Sequence, residues 1–237
     1  MRQTLSGKIA FWGSLWGGGF LLLVVILDLT PENLTLGAAI PLSGLYTWLL
    51  YQTQDLWIER LASKPFRNAV LLGSFNAAVI ETLFLAVEKG FGASGVAAHP
   101  NLLVDLALTM PWYFGMVWIF VKIQRQERFP AGVVLLLGGI YELGADGILG
   151  GVLLPALMGS PPDLLEFLIL MLLGGFWQFI PVYSSMVLPP AWVLDSGPET
   201  SPLRHRKIAR GFLPLLWLLP FSVYLFLSLL FGGFWGS

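Results

Sequence analysis

The chain has 237 residues, of which 56% are apolar and 11% charged, whereas an ordinary soluble domain carries about 25% charged residues. A net charge of −1 without a long basic run excludes nucleic-acid binding. The absence of cysteine excludes disulfides, thiolate catalysis and thiolate metal sites, and with only two histidines we expect no cofactor and leave open whether an oxygen-bound metal is present.

Apolar runs long enough to cross about 30 Å of hydrocarbon recur along the chain. They predict an all-α bundle of about seven transmembrane helices forming one transmembrane domain, residues 1–237, with spans near 9–27, 35–51, 68–88, 101–121, 131–157, 164–189 and 211–234. The fifth span is rich in glycine and has Pro155 near its end, so we expect an interrupted helix there, of a kind tolerated where it is buried in protein.

Basic residues determine the predicted orientation. Twelve of the thirteen Lys and Arg residues fall before span one or after spans two, four and six, which leaves Lys89 alone on the opposite side. Because cytoplasmic loops of membrane proteins are enriched in Lys and Arg, the pattern predicts a cytoplasmic N-terminus and an extracytoplasmic C-terminus. We expect a multi-pass protein of a prokaryotic-type plasma membrane.

Acidic residues within the spans are the strongest indication of function, because a charged side chain at the bilayer centre costs about 2.5–3.5 kcal/mol on insertion scales. Glu81 lies past the midpoint of span three, and Asp105 lies near the outer end of span four. In span five, Glu142 is close to mid-membrane, and Asp146 follows one helical turn later on the same face. These four residues are the predicted catalytic groups.

No basic residue except Lys89 lies near that depth, so salt bridges cannot neutralise all four acids. Like charges held close in a low dielectric cannot all ionise, and some of these carboxyls should therefore carry a proton. A neutral carboxylic acid can act as a general acid, and its ionised neighbour can act as a base or stabilise a cation. Glu88 and Glu166 are expected to reach interfacial water, and His99 is expected to lie on a loop surface.

Polar and aromatic side chains accompany the acids within the spans. Those predicted to line a substrate pocket are Asn76, Trp112, Tyr113, Tyr141, Trp177, Gln178 and Tyr183. Aromatic rings can stabilise a cation or line an apolar pocket, but packing and lipid contact are the competing interpretation.

A shift of 61 residues aligns spans three and four with spans five and six, and it places Glu81 on Glu142 and Asp105 on Glu166. This weak pattern predicts a parallel hairpin repeat, of a kind whose interface commonly carries a site near the membrane middle.

Three functions are compatible with these observations. The first is an embedded enzyme that uses the carboxylates for isomerase- or cyclase-type chemistry on a lipid or isoprenoid. The second is a small cation- or proton-coupled transporter, which the interrupted fifth span and the predicted repeat would suit. The third is a structural membrane subunit without a site. Expected partners are membrane lipids and either a hydrophobic small molecule or an ion, while the sequence names no protein partner.

Overall fold

The structure, a computed structural model, describes residues 5–157, 159–196 and 207–231. These residues form helices and no strands. Seven helical stretches within them are long and apolar enough to cross a membrane, and they are Leu5–Leu27, Pro31–Gln52, Pro65–Phe91, Leu102–Glu127, Ala131–Leu157, Leu164–Asp195 and Ile208–Ser228. The predicted all-α bundle is therefore confirmed, and its orientation in the membrane stays a prediction.

The first four spans are continuous helices. They are α1 (Leu5–Leu27), α2 (Pro31–Gln52), α4 (Pro65–Phe91) and α5 (Leu102–Glu127). A short helix, α3 (Gln54–Leu61), joins the second span to the third. Helix α5 begins with Asn101 as its N-cap, whose side chain accepts from the backbone N–H of Leu103 at 2.9 Å.

Spans five and six are composite helices. Span five consists of α6 (Ala131–Glu142), a π-helical segment (Leu143–Leu153) and α7 (Leu154–Leu157). Span six consists of α8 (Leu164–Leu170), a second π-helical segment (Met171–Gly175) and α9 (Phe176–Asp195). The interruption predicted for span five is thus present as a π-helical segment. Such segments are rare in proteins, and those that occur are frequently at functional sites.

Span seven begins as a 3₁₀ helix (Ile208–Trp217) and continues as α10 (Leu218–Phe231). Its start is tied to the end of α5, because the buried Glu127 accepts from the backbone N–H of Lys207 at 2.9 Å and from Arg210 at 2.8 Å. The predicted end of this span at residue 234 lies outside the described residues, as do Arg2, Arg204 and Arg206, on which the predicted orientation partly depends.

Helix α9 is the centre of the bundle and packs against α2, α4 and α6. Prolines within the helices leave backbone carbonyls without their usual donors, because proline has no N–H. The carbonyl of Ser185 lies four residues before Pro189, and Asn76 of α4 donates to it from Nδ2 at 2.6 Å. Tyr46 of α2 in turn donates to Asn76 Oδ1 at 2.9 Å, so one asparagine links three helices.

The same arrangement recurs at two further prolines. Tyr224 donates to the carbonyl of Ala107 at 2.6 Å, four residues before Pro111, and Tyr141 donates to the carbonyl of Gly211 at 2.6 Å, three residues before Pro214 in the 3₁₀ helix. Since every backbone polar group in a bilayer must find a partner within the protein, these bonds account for the tolerance of proline at Pro111, Pro189 and Pro214.

We expect Tyr141→Phe to lower the free energy of unfolding by about 1 kcal/mol, within the range measured for interhelical hydrogen bonds in membranes. The substitution keeps the buried ring and removes only the donor to Gly211. The measurement is unfolding of purified protein in bicelles by detergent titration. Tyr51→Phe is the matched control, because Tyr51 is an exposed tyrosine. Equal stability of the two variants would contradict the role of this bond.

Candidate functional site

The structure brings Glu81, Asp105, Glu142 and Asp146 together in one cluster. The Glu81 carboxyl on α4 lies within hydrogen-bonding range of Asp105 on α5, and Glu142 lies in the same range of Asp146 one turn further along span five. The two pairs interact electrostatically through Glu81 and Asp146. Four acids from three helices therefore share one region, which we call the acid cluster.

One carboxyl of each pair is almost inaccessible. Asp105 is fully buried and Glu142 is 5% exposed. One oxygen of each, Oδ2 of Asp105 and Oε2 of Glu142, has no hydrogen-bond donor among the described residues. Two adjacent carboxyls can form a hydrogen bond only when one of them carries a proton, so each pair is suited to hold one shared proton.

No salt bridge reaches the acid cluster within the described part of the chain. The described residues contain an ion pair between Arg210 and Glu127, but it lies at the end of α5 that is distant from Asp105. The acids thus lack the cationic partners that would neutralise them. The sequence prediction of unmatched carboxyls is consistent with this geometry, and a catalytic role for them stays a prediction.

Asp146 differs from the other three acids in its accessibility. Its side chain is exposed, whereas that of Glu142 beside it is buried. Asp146 is therefore the member of the acid cluster that a molecule entering from outside the bundle would reach first.

The 92–101 loop covers the other end of the cluster. The backbone N–H of His99 donates to Asp105 Oδ1 at 3.1 Å, and the backbone N–H of Ala97 donates to Glu88 Oε2 at 2.6 Å. His99 Nδ1 accepts from the backbone N–H of Asn101 at 2.9 Å, which leaves Nε2 to carry the ring proton. The loop is fixed to the carboxylates by its own amide groups.

Two tyrosines lie against the acids. Tyr113 of α5 donates its hydroxyl hydrogen to Glu81 Oε1. Tyr183 of α9 accepts from Trp112 Nε1 at 2.8 Å and lies within electrostatic range of Glu142, Asp146 and Glu81. The centroids of the two tyrosine rings are 5.7 Å apart. Of the predicted pocket residues, Trp112, Tyr113 and Tyr183 therefore lie at the acid cluster.

The remaining predicted pocket residues serve the scaffold. Asn76 and Tyr141 make the carbonyl hydrogen bonds described above. Trp177 packs on α1, where a Cβ added to Gly13 would lie 2.1 Å from its ring. Gln178 is half-buried beside Trp177. Their predicted part in binding stays a prediction, and no contact with the acid cluster supports it.

The sequence prediction underestimated Glu88. It was expected to reach interfacial water, yet its side chain is 5% exposed, is bonded to the loop and lies within electrostatic range of Asp105. Its spacing of seven residues from Glu81 places both acids on one face of α4, two turns apart. That spacing was the signal that could have identified it. Glu166, in contrast, is exposed as predicted.

No group of three His, Asp or Glu side chains among the described residues converges as one metal ion would require. The acid cluster consists of pairs, which suits the holding of protons better than the ligation of a multivalent ion. Comparison of the chain with protein-family models, with curated proteins and with solved structures finds no match.

Proposed function

We propose that the protein is a membrane-embedded enzyme that isomerises or cyclises a lipid or isoprenoid by proton transfer. The observation that carries the proposal is the pair Glu142 and Asp146, in which a buried carboxyl lies beside an exposed one. Paired carboxyls in different environments are the usual arrangement of a general acid and a general base.

The proposed reaction requires no co-reactant. The protonated carboxyl of the pair gives its proton to one carbon of a carbon–carbon double bond, which leaves a carbocation on the adjacent carbon. The ionised partner then removes a proton from a neighbouring carbon, and a new double bond forms there. For cyclisation, another double bond of the substrate attacks the cation before that proton is lost. The proton that the base has gained returns to the first carboxyl through their shared hydrogen bond.

Tyr113 and Tyr183 supply the surroundings that this chemistry needs. Their ring faces can stabilise a carbocation, and the ionised carboxyl beside them adds electrostatic attraction in a medium of low dielectric. Trp112 holds the Tyr183 hydroxyl oxygen at 2.8 Å, which fixes the ring in place. Exclusion of water protects the cation from hydration.

Access to Asp146 favours an apolar substrate. Helices α7 and α8, which form the ends of spans five and six on the side of the 92–101 loop, have no buried residues. Toward the opposite membrane surface, the large side chains of Met116, Phe120 and Leu137 are fully buried. The bundle is thus loosely packed at these ends of spans five and six and tightly packed on the other side, as we expect for a substrate that reaches the exposed Asp146 from lipid.

The composite helices support a second candidate, a proton-coupled transporter. Transporters commonly place their sites at discontinuous helices near the membrane middle, and here both span five and span six are interrupted. Gly174 has φ 177° and ψ −17°, outside the helical region. Alternating access would require the acid cluster to open also past Phe120 and Leu137, which labelling from each side of the membrane would detect.

The test of the proposed function uses solvent deuterium as a probe of the reaction class. Purified protein is incubated in D2O in vesicles made from polar lipids, with polyprenols or squalene-like isoprenoids added. Protonation of a double bond leaves deuterium on carbon, where it does not wash out, and mass spectrometry of the extracted lipids detects it. We expect deuterium incorporation that depends on the protein.

Two outcomes would remove the proposal. Folded protein that incorporates no deuterium into any lipid or isoprenoid offered would contradict proton-transfer chemistry. Uptake of labelled protons into vesicles driven by a second solute, without deuterium on carbon, would instead support the transporter. If neither occurs, the structural subunit remains.

Asp146 should react with a hydrophobic carbodiimide from the lipid phase. Carbodiimides attack protonated carboxyls that they can reach, and Asp146 is both close to a second carboxyl and accessible. Peptide mass spectrometry should therefore find the adduct on Asp146 and much less on the buried Glu142. A water-soluble carbodiimide should label the exposed Glu166 instead. Labelling of Asp146 by the soluble reagent alone would indicate that Asp146 faces water and would contradict lateral access.

A further inference from the structure

Five carboxyls are linked by hydrogen-bonding or electrostatic interactions from the 92–101 loop to Glu142 in span five. In order they are Glu88, Asp105, Glu81, Asp146 and Glu142. We propose that this series is a proton path that connects the aqueous surface at the loop with Glu142. The inference rests on the proposed function, because it states how the site of that function exchanges its proton with water.

Two of the four links are within hydrogen-bonding range, and the other two are electrostatic interactions without a hydrogen bond. Glu142 and Asp146 are within hydrogen-bonding range, as are Glu81 and Asp105, and Glu81 lies within electrostatic range of Asp146. In each hop the O–H bond of a protonated carboxyl breaks as a new one forms on the neighbouring carboxylate. No oxidant or other reactant is needed.

Unpartnered oxygens within the series indicate where the proton is held. Oδ2 of Asp105 and Oε2 of Glu142 are buried and have no donor among the described residues. Asp105 is fully buried and Glu142 is 5% exposed. A buried oxygen without a donor is costly, and a proton on the adjacent carboxyl would supply the missing hydrogen bond at both positions.

The outer end of the path lies under the 92–101 loop. Glu88 is within electrostatic range of Asp105 and is held by the backbone N–H of Ala97 at 2.6 Å. The half-buried His99 and the exposed Lys89 are the other titratable groups near this end. Since His99 Nδ1 is occupied by the N–H of Asn101, its Nε2 is the ring nitrogen that can exchange a proton with water.

Large apolar side chains are buried toward the inner end of the path. Tyr113 and Tyr183 face the path from the packed helices, and Tyr113 donates to Glu81. The side chains of Met116, Phe120 and Leu137 are fully buried and offer no acceptor to a proton. They favour a path that ends at Glu142 over one that crosses the membrane.

The test is the rate of hydrogen–deuterium exchange at the buried carboxyls, measured without a substrate. Protonated carboxyls have an infrared carbonyl band that shifts when their proton is replaced by deuterium. Proteoliposomes are switched from H2O to D2O, and the bands of the inner pair are assigned by their loss in Glu142→Gln and Asp146→Asn. Asp105→Asn removes a titratable group from the middle of the series and keeps an oxygen that can accept from the N–H of His99.

We expect Asp105→Asn to slow exchange of the inner bands on the order of a hundredfold, the lower end of what a positioned proton-transfer group contributes. Glu166→Gln, a control at an exposed acid outside the series, should leave the rate unchanged. Should Asp105→Asn fail to fold, Glu81→Gln interrupts the same series one step further in. Wild-type exchange rates in a folded Asp105 or Glu81 variant would overturn the path.

This result is independent of the proposed reaction. If carboxyl exchange slows in Asp105→Asn but the protein puts no deuterium on lipid carbon, the proton path is retained and the proposed enzyme is removed. If deuterium appears on lipid carbon but carboxyl exchange is unchanged in Asp105→Asn, the enzyme is retained and the path is removed.

Discussion

Asp146→Asn combined with Glu142→Gln is expected to reduce deuterium incorporation into lipid by about 10²–10⁴-fold, the contribution typical of positioned general acids and bases. The amides keep the shape of both side chains but can neither give nor take a proton at neutral pH. Because the two carboxyls lie within hydrogen-bonding range of each other, we expect them to act as one unit, and each single variant should lose almost as much as the double variant.

Glu166→Gln is the matched control for this series, since it removes one exposed acid and should retain full activity. The variants in the acid cluster should also be at least as stable as wild type, because replacing an acid that lacks a cationic partner by an amide removes a burial cost. A folded double variant with unchanged activity would remove both the enzyme and the transporter. A double variant that is markedly less stable would indicate that the carboxyls serve the scaffold.

Gly132→Ala is expected to have the largest effect on stability, with a loss of about 1–3 kcal/mol or more. A Cβ added to Gly132 would lie 2.2 Å from the backbone nitrogen of Gly7. The obstacle is backbone rather than a flexible side chain, so α1 would have to move away from α6. The measurement is the free energy of unfolding in bicelles by detergent titration.

The matched control for that variant is Gly18→Ala on α1, where an added Cβ meets no atom within 4 Å. Alanine also favours a helix over glycine by about 1 kcal/mol, so the control should be neutral or slightly stabilising. If Gly132→Ala were as stable as Gly18→Ala, the close approach of α1 and α6 would be wrong. Displacement of α1 should also loosen span six, since Trp16 donates to the carbonyl of Leu173 within the π-helical segment.

The spans could be predicted from the sequence because the thickness of hydrocarbon imposes a length on every apolar run. The four acids were recognisable for a related reason, since each breaks that pattern at a cost. Their pairing could not be predicted, because Glu81 meets Asp105 and Asp146 through the arrangement of helices and not through spacing along the chain. Only Glu142 and Asp146 could be assigned to one helix face from the sequence, because they are four residues apart.

The roles of Asn76 and Tyr141 and the value of the 61-residue repeat depend on contacts between helices that are distant in sequence. Asn76 and Tyr141 were candidates for a pocket, but each bonds a carbonyl that a distant proline leaves without a donor. The 61-residue repeat aligns Asp105 with Glu166, yet the first is fully buried beneath a loop and the second is exposed. The repeat stays a prediction. The observation that favours it is that Glu81 and Glu142, which the repeat aligns, lie in the same acid cluster.

The hydrogen bonds to proline-vacated carbonyls have a consequence for biogenesis. Span four is synthesised with the Ala107 carbonyl unsatisfied, and its donor, Tyr224, arrives only with the last span. Until that span is inserted, the nascent chain holds an unpaired carbonyl in oil. Truncation before residue 207 should therefore leave an assembly intermediate that membrane quality-control proteases recognise.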